Sequence, residues 1–299
     1  MTDFLNKLEN FFFDIFGLIL PGLLLSLIIL IPIYFFDYGR VTSAQWNDTP
    51  FLSFMHFIYS STHSLARSKP TYLVVGLFMF SYILGHLIKV ISIVLYEFLS
   101  ALFDEVINKK VSSLGIILHD AFVDAVAILT GGYDVKRSFF YKSVTILYRP
   151  IKRHLIEVFV FRSEPYMKAN ENLKTECLAI LNTKLNNSFP PVWYSLYKMS
   201  VVINNQEGLK SLANFFLSKY NLYRSLSLIC IIAFSYYLIF FQQTSKFIST
   251  ELRNSQPFII GLIVLLWYTF HVKYKRYWVL CGNEALVSLY YFLNKKKLE

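Results

Sequence analysis

The sequence predicts an all-α integral membrane protein, with about four transmembrane helices and a mostly helical cytoplasmic domain inserted between spans two and three. Composition is the first observation behind it: of 299 residues, 55% are hydrophobic and only 16% charged, against roughly a quarter charged in soluble domains. The second is a set of long apolar runs near the roughly 20 residues that a helix needs to cross hydrocarbon, where only the helix itself can satisfy the backbone. The third is an uneven distribution of Lys and Arg between the connections. With 11 Gly and 9 Pro, the chain is not loop-rich, and it shows neither an internal repeat nor a Gly/Ser linker.

The first span is expected from Ile15 to Phe36. Asp3, Glu9 and Asp14 precede it, the run is too long for a signal-peptide core, and no small-residue cleavage site follows, so it reads as an anchor and not a cleaved leader. Phe51 to Tyr59 is too short to span and is expected at the interface. Pro70 to Ile88 forms the second span and continues apolar past Lys89 to Leu95. Ser225 to Thr244 is the third. Pro257 to Val272 is the fourth, brought to length if Asn254 to Gln256 lie among headgroups. The organisation that follows is a transmembrane hairpin at 1–100 (spans about 15–36 and 70–95), a cytoplasmic helical domain at 101–222, and a second hairpin at 223–299 (spans about 225–244 and 255–273) ending in a basic cytoplasmic tail.

Charge sets the orientation. The connections Asp37 to Lys69 and Ser245 to Gln256 carry few basic residues, while residues 101–222 and the end of the chain, with Lys273, Lys275, Arg276 and Lys295 to Lys297, carry many. The positive-inside rule therefore places both termini and the central domain in the cytoplasm. The net charge of +10 is explained first by this topology. Cys177, Cys230 and Cys281 form no ligand or disulfide spacing.

The central segment reads as helices. Leu114 to Leu129 is stopped by Gly131-Gly132, and Ile151 to Phe161 follows Pro150. Glu164-Pro165 opens a further helix to Asn182. Trp193 to Val202 and Leu209 to Tyr220 come last, the second running into span three. Leu209, Leu212, Phe216, Leu217 and Tyr220 share one face.

The candidate working residues are polar groups at the spans. Asp14, His86, Lys89 and Glu97 fall toward the cytoplasmic ends of spans one and two, where a charge costs roughly 2.5–3.5 kcal/mol on insertion scales and normally faces a partner. Asp14 and Lys89 fall at matching depth in antiparallel helices. Ser81 and Gly85 make a small-residue face that another helix can approach. Pro21 and Gly22 predict a kink in span one, a candidate gate hinge. Lys136, Arg137, Lys142, Arg149, Lys152, Arg153 and His154 form a basic patch for anionic lipid or a signalling ligand, with lipid favoured because the domain is tethered to that surface.

Catalytic patterns are thin. His119-Asp120 with Asp124, and the Arg149 to His154 spacing of some helical ribonucleases, lack converging ligands or a polar residue after the arginine. No P-loop, GxSxG, HExxH or dinucleotide fingerprint is present. No catalytic residue, metal or cofactor is expected, nor is nucleic acid as a partner.

Three stretches, Phe13-Asp-Ile-Phe-Gly-Leu-Ile-Leu-Pro-Gly22, Tyr82-Ile-Leu-Gly-His86 and Phe216-Leu-Ser-Lys-Tyr-Asn-Leu-Tyr-Arg224, resemble a loose group of uncharacterised bacterial multi-span membrane proteins, some associated with antiphage defence. The resemblance implies an inner-membrane protein working with a cytosolic sensor and carries over no site residue. The expected function is a non-enzymatic effector or channel-like subunit: the cytoplasmic domain receives a signal from a cytosolic protein or small ligand, and the spans, in a homo-oligomer within the lipid bilayer, alter permeability. A membrane scaffold recruiting a cytosolic partner is the alternative, with a membrane-tethered enzyme on lipid or RNA behind it.

Overall fold

The computed structural model describes residues 15–34, 36, 49–103, 161, 171–184, 193–206, 212–245, 247–248 and 250–298. Among these residues every regular element is a helix. A π-helical segment, Ile15–Ile19, leads into α1 (Leu20–Tyr34); α2 (Pro50–Ser68), α3 (Pro70–Leu102), α4 (Glu171–Lys184), α5 (Trp193–Gln206), α6 (Ala213–Thr244), α7 (Thr250–Asn254) and α8 (Gln256–Leu298) follow. Four helices are long and apolar enough to cross a membrane: Gly17–Tyr34, Pro70–Leu102, Ala213–Thr244 and Gln256–Asn294.

Local chemistry explains most boundaries. Pro21 has no N–H to give the Gly17 carbonyl, and its ring crowds the preceding turn. The helix widens to π geometry at Ile15–Ile19, just before it. Pro32 leaves the Ile28 carbonyl without a helical donor for the same reason. Nearby, the Tyr236 hydroxyl of α6 donates to the Ile29 carbonyl at 3.0 Å. Thr49 caps α2, its Oγ1 accepting from the Leu52 N–H at 3.2 Å, with Pro50 at the first helical position, where a missing N–H costs nothing. Lys69 is disfavoured as a helical residue by the proline that follows it; its φ of −146° and ψ of 67° separate α2 from α3.

The segment expected at the interface as Phe51 to Tyr59 is a full helix to Ser68. Its Leu52 and Met55 pack with Ile33 and Phe36 at the end of the first apolar run and with Phe240 and Phe241 of α6. The helix expected from Leu209 to Tyr220 starts at Ala213 and continues without a break to Thr244. The helix of the fourth apolar run likewise continues past residue 273: α8 runs through 43 residues to Leu298. The segment expected as a basic tail buries Leu286 and Leu289 against Cys177 and Leu181 of α4 and Leu196 and Ile203 of α5. Its Cys281 and Ala285 pack on Ala213 of α6. Glu284 caps the start of α6, its carboxylate accepting from the Leu212 N–H at 3.2 Å, where a negative charge meets the positive end of the helix dipole.

Residues Met1–Ser92 with Ala169–Glu299 form one compact unit and Ile93–Lys168 another. Within the second, the rings of Tyr96 and Phe103 meet Phe161 at 5.6 and 5.4 Å. The helices expected from Leu114 to Leu129 and from Ile151 to Phe161 lie outside the described residues, apart from Phe161.

Candidate functional site

Within α3 the residues Ser81, Gly85, Ile88 and Ser92 are buried, and they recur every three or four positions along one narrow face. Other faces of the helix expose large apolar side chains, Tyr72 at 70% and Val74 at 67% among them. The small-residue face is where other helices arrive. A Cβ added to Gly22 would overlap the Ser81 carbonyl oxygen and lie 2.9 Å from the Gly85 nitrogen; one added to Gly85 would overlap the Leu18 carbonyl oxygen. Backbone meets backbone there, a packing that only glycine permits.

Two turns further along the same face, Ser92 meets Arg224 of α6. The Ser92 Oγ donates to the Lys89 carbonyl at 2.8 Å, which leaves its lone pairs to accept, and Arg224 Nε donates to that Oγ at 3.2 Å. Arg224 Nη1 donates to the Tyr220 hydroxyl at 3.2 Å and Nη2 to Asn221 Oδ1 at 3.1 Å. The guanidinium also lies over the Tyr220 ring, 5.0 Å from its centroid, a cation–π contact worth about 0.5–2 kcal/mol. Arg224 is only 7% exposed. Among the described residues no carboxylate touches it.

Tyr220 joins this arginine to α8, its ring 5.7 Å from Tyr274 and 5.0 Å from Trp278. On α8, His271 and Lys275 are 0% and 2% exposed, and Lys275 Nζ lies 3.1 Å from His271 Nε2. Which of the two donates depends on the imidazole tautomer. His271 also stacks on Trp267 at 5.1 Å. Three basic side chains of α6 and α8 are thus buried. Trp278 Nε1 and the Ser225 Oγ are buried without a hydrogen-bond partner.

Of the residues singled out in the sequence, Pro21 and Gly22 are buried, with Gly22 at the α1–α3 crossing. His86 is exposed and meets the Tyr82 ring edge-on at 4.7 Å. Among the described residues Lys89 and Glu97 make no side-chain ion pair, Lys89 half-buried and Glu97 exposed. Asp14 lies outside the described residues, as do His119, Asp120, Asp124 and the patch of Lys136, Arg137, Lys142, Arg149, Lys152, Arg153 and His154. Among the described residues no group of three His, Cys, Asp or Glu side chains is placed to hold a metal.

Sequence reasoning alone misses the cluster of Arg224, His271 and Lys275. Two signals point to it: Arg224 stands directly before an uncharged run, and His271 and Lys275 are four apart, on one helix face.

Cys177 is enclosed between α4 and α8, its Sγ 3.9 Å from the Leu286 carbonyl. Burial, with a smaller effect from the Glu176 charge, pushes its thiol up to about 11. It is a packing group and not a nucleophile.

No protein-family model matches this chain, and no curated protein or solved structure matches it either.

Proposed function

We propose that this chain is an inner-membrane effector: the four long helices span the bilayer, both ends face the cytoplasm, and a signal received on the cytoplasmic side changes membrane permeability. The observation that carries the reading is the continuity of α6 and α8. At about 1.5 Å per residue, the 32 residues of α6 reach about 48 Å and the 43 of α8 about 64 Å. Each is longer than the roughly 30 Å hydrocarbon core, so both project beyond it. The projecting part of α8 holds α4 and α5 through Leu286 and Leu289, and a push on those helices reaches the spans without an intervening joint.

Aromatic residues support the placement. Tyr220, Tyr223, Tyr274, Tyr277 and Trp278 cluster at one level; Tyr34, Tyr59, Tyr236 and Tyr237 lie at another. From Tyr223 to Tyr236 is about 20 Å along the helix, so the two aromatic levels bracket an apolar stretch shorter than the roughly 30 Å core. Arg224, His271 and Lys275 then fall near the cytoplasmic aromatic level, and enclosed basic residues at such depth mark functional positions. Four spans enclose no wide pore, so permeability requires several copies, and the uncovered sides of α3 are available to them.

The test is membrane potential in bacteria carrying wild type, Lys275→Gln, His86→Ala or Lys89→Ala at matched membrane levels, with and without phage challenge. Depolarisation by wild type that Lys275→Gln abolishes is the expected result. An unchanged potential throughout, with the protein inserted, would refute the permeability reading and favour a scaffold acting through α4 and α5.

A further inference from the structure

We infer that Arg224 is an anion site whose ligand is a phosphate oxyanion. Arginine remains protonated in proteins, and taking its guanidinium out of water without a counter-ion is costly. Among the described residues its partners, Ser92, Tyr220 and Asn221, are all neutral. They satisfy hydrogen bonds, and among the described residues nothing balances the charge.

Geometry says what balances it. A guanidinium has five N–H donors, and these partners take one each from Nε, Nη1 and Nη2. The two remaining belong to Nη1 and Nη2. Such donors suit oxygens of a tetrahedral oxyanion, for which arginine is the preferred residue. Among the described residues no acid is found there, and Trp278, whose ring packs on Tyr220, has a buried Nε1–H without a partner. A polar, donor-rich site holding a fixed positive charge is built for an anion.

Position selects the chemical class. The uncharged run of α6 begins at Ser225, directly after the arginine, and Tyr220 of one aromatic level lies against the guanidinium. The inference rests on the reading that the long helices span a bilayer, because that level is then the headgroup layer, where phosphate is the dominant anion. Basic sites between helices on the cytoplasmic side hold lipid phosphates by the same chemistry. A phospholipid headgroup and a soluble phosphate present the same oxygens.

The experiment separates the two sources and separates the site from the spanning reading. Alkaline carbonate extraction of membranes comes first: retention in the pellet is expected, and release would overturn the spanning reading and the lipid source with it. Delipidated full-length protein is then titrated with phosphatidylglycerol and with diacylglycerol, which has the same chains and no phosphate, by native mass spectrometry. Its thermal unfolding is followed in inorganic phosphate and in chloride at equal ionic strength. Because the site's hydrogen bonds are charge-assisted, roughly a tenfold or greater preference for phosphatidylglycerol is expected, equivalent to about 1.4 kcal/mol. Arg224→Gln is expected to remove it, and Arg224→Lys, which keeps the charge but not the fork, to reduce it. Lys219→Gln removes a nearby charge from the ring faces of Phe215 and Tyr277 and is expected to leave the preference intact. Stabilisation by inorganic phosphate, lost in Arg224→Gln and without lipid preference, would assign the site to a soluble phosphate. Equal retention of both lipids with no phosphate effect would overturn the inference, as would a preference that survives Arg224→Gln or falls equally in Lys219→Gln. Should Arg224→Gln fail to fold, the wild-type selectivity and Arg224→Lys still decide it.

Discussion

Cys177 and Arg224 are both almost wholly enclosed, and enclosure acts on them through opposite chemistry. The thiol at Cys177 responds by keeping its proton: its pKa rises to about 11 because the thiolate is poorly solvated between α4 and α8. The guanidinium at Arg224 cannot shed its proton at any ordinary pH, so its surroundings must supply hydrogen bonds and, as inferred above, an anion. For Cys177 the sign follows from linkage. A folded-state value above the ordinary 9.0 means that the folded form binds the proton more tightly, so this group's contribution to stability is intact below pH 9 and is lost as pH rises through about 11. At about pH 8, where the unfolded thiol is already partly ionised, iodoacetamide is expected to modify Cys177 far more slowly in the folded protein than after denaturation, with peptide mass spectrometry as the readout. Equal rates would show that the α4–α8 packing is absent. Neither environment is legible in the sequence, since Ser92 and Arg224 are 132 positions apart and Cys177 meets a carbonyl 109 positions away. Residue type indicates a charge or a thiol; only the fold indicates its company.

Elements are legible where lipid-like hydropathy dominates and much less so where amphipathic packing does. The apolar runs from Ile15, Pro70, Ser225 and Pro257 each correspond to a long helix. In sequence α2 reads short because polar Ser60, Ser61, Thr62 and His63 interrupt its apolar pattern, although their backbone continues the helix. The end of α8 resembles a tail for a similar reason: its apolar residues serve α4 and α5 and make no continuous run. The Ser81–Gly85 face is visible as small residues, and its counterpart Gly22 only as a kink. Gly22→Ala and Gly85→Ala should each force the α1–α3 crossing apart, at a cost of about 1–3 kcal/mol. Gly76→Ala on the same helix as Gly85 meets nothing within 4 Å and should be neutral or stabilising by up to about 1 kcal/mol through helix propensity. Thermal unfolding in one detergent checks all three; equal shifts at Gly22, Gly85 and Gly76 would deny the close approach.

For the whole molecule, helical class and the number of apolar runs follow from sequence, and charge bias adds an orientation open to direct measurement. A cysteine introduced at Ser64, exposed on α2, should react with a membrane-impermeant maleimide in spheroplasts. One introduced at Val287, exposed on α8, should react only after lysis, and the reverse pattern would invert the topology. What sequence leaves unread is the unity of the long elements, because the runs that mark spans stop where the helices do not. The unbroken length of α8 has a further consequence. A rigid rod carries torque as well as thrust. One residue inserted into it would turn everything beyond by about 100° and advance it by about 1.5 Å, swinging the α4–α5 face around the axis, whereas seven inserted residues would nearly restore the phase while lengthening the shaft. The bearing of the α4–α5 face on the spans is therefore a matter of angular register, tunable one residue at a time.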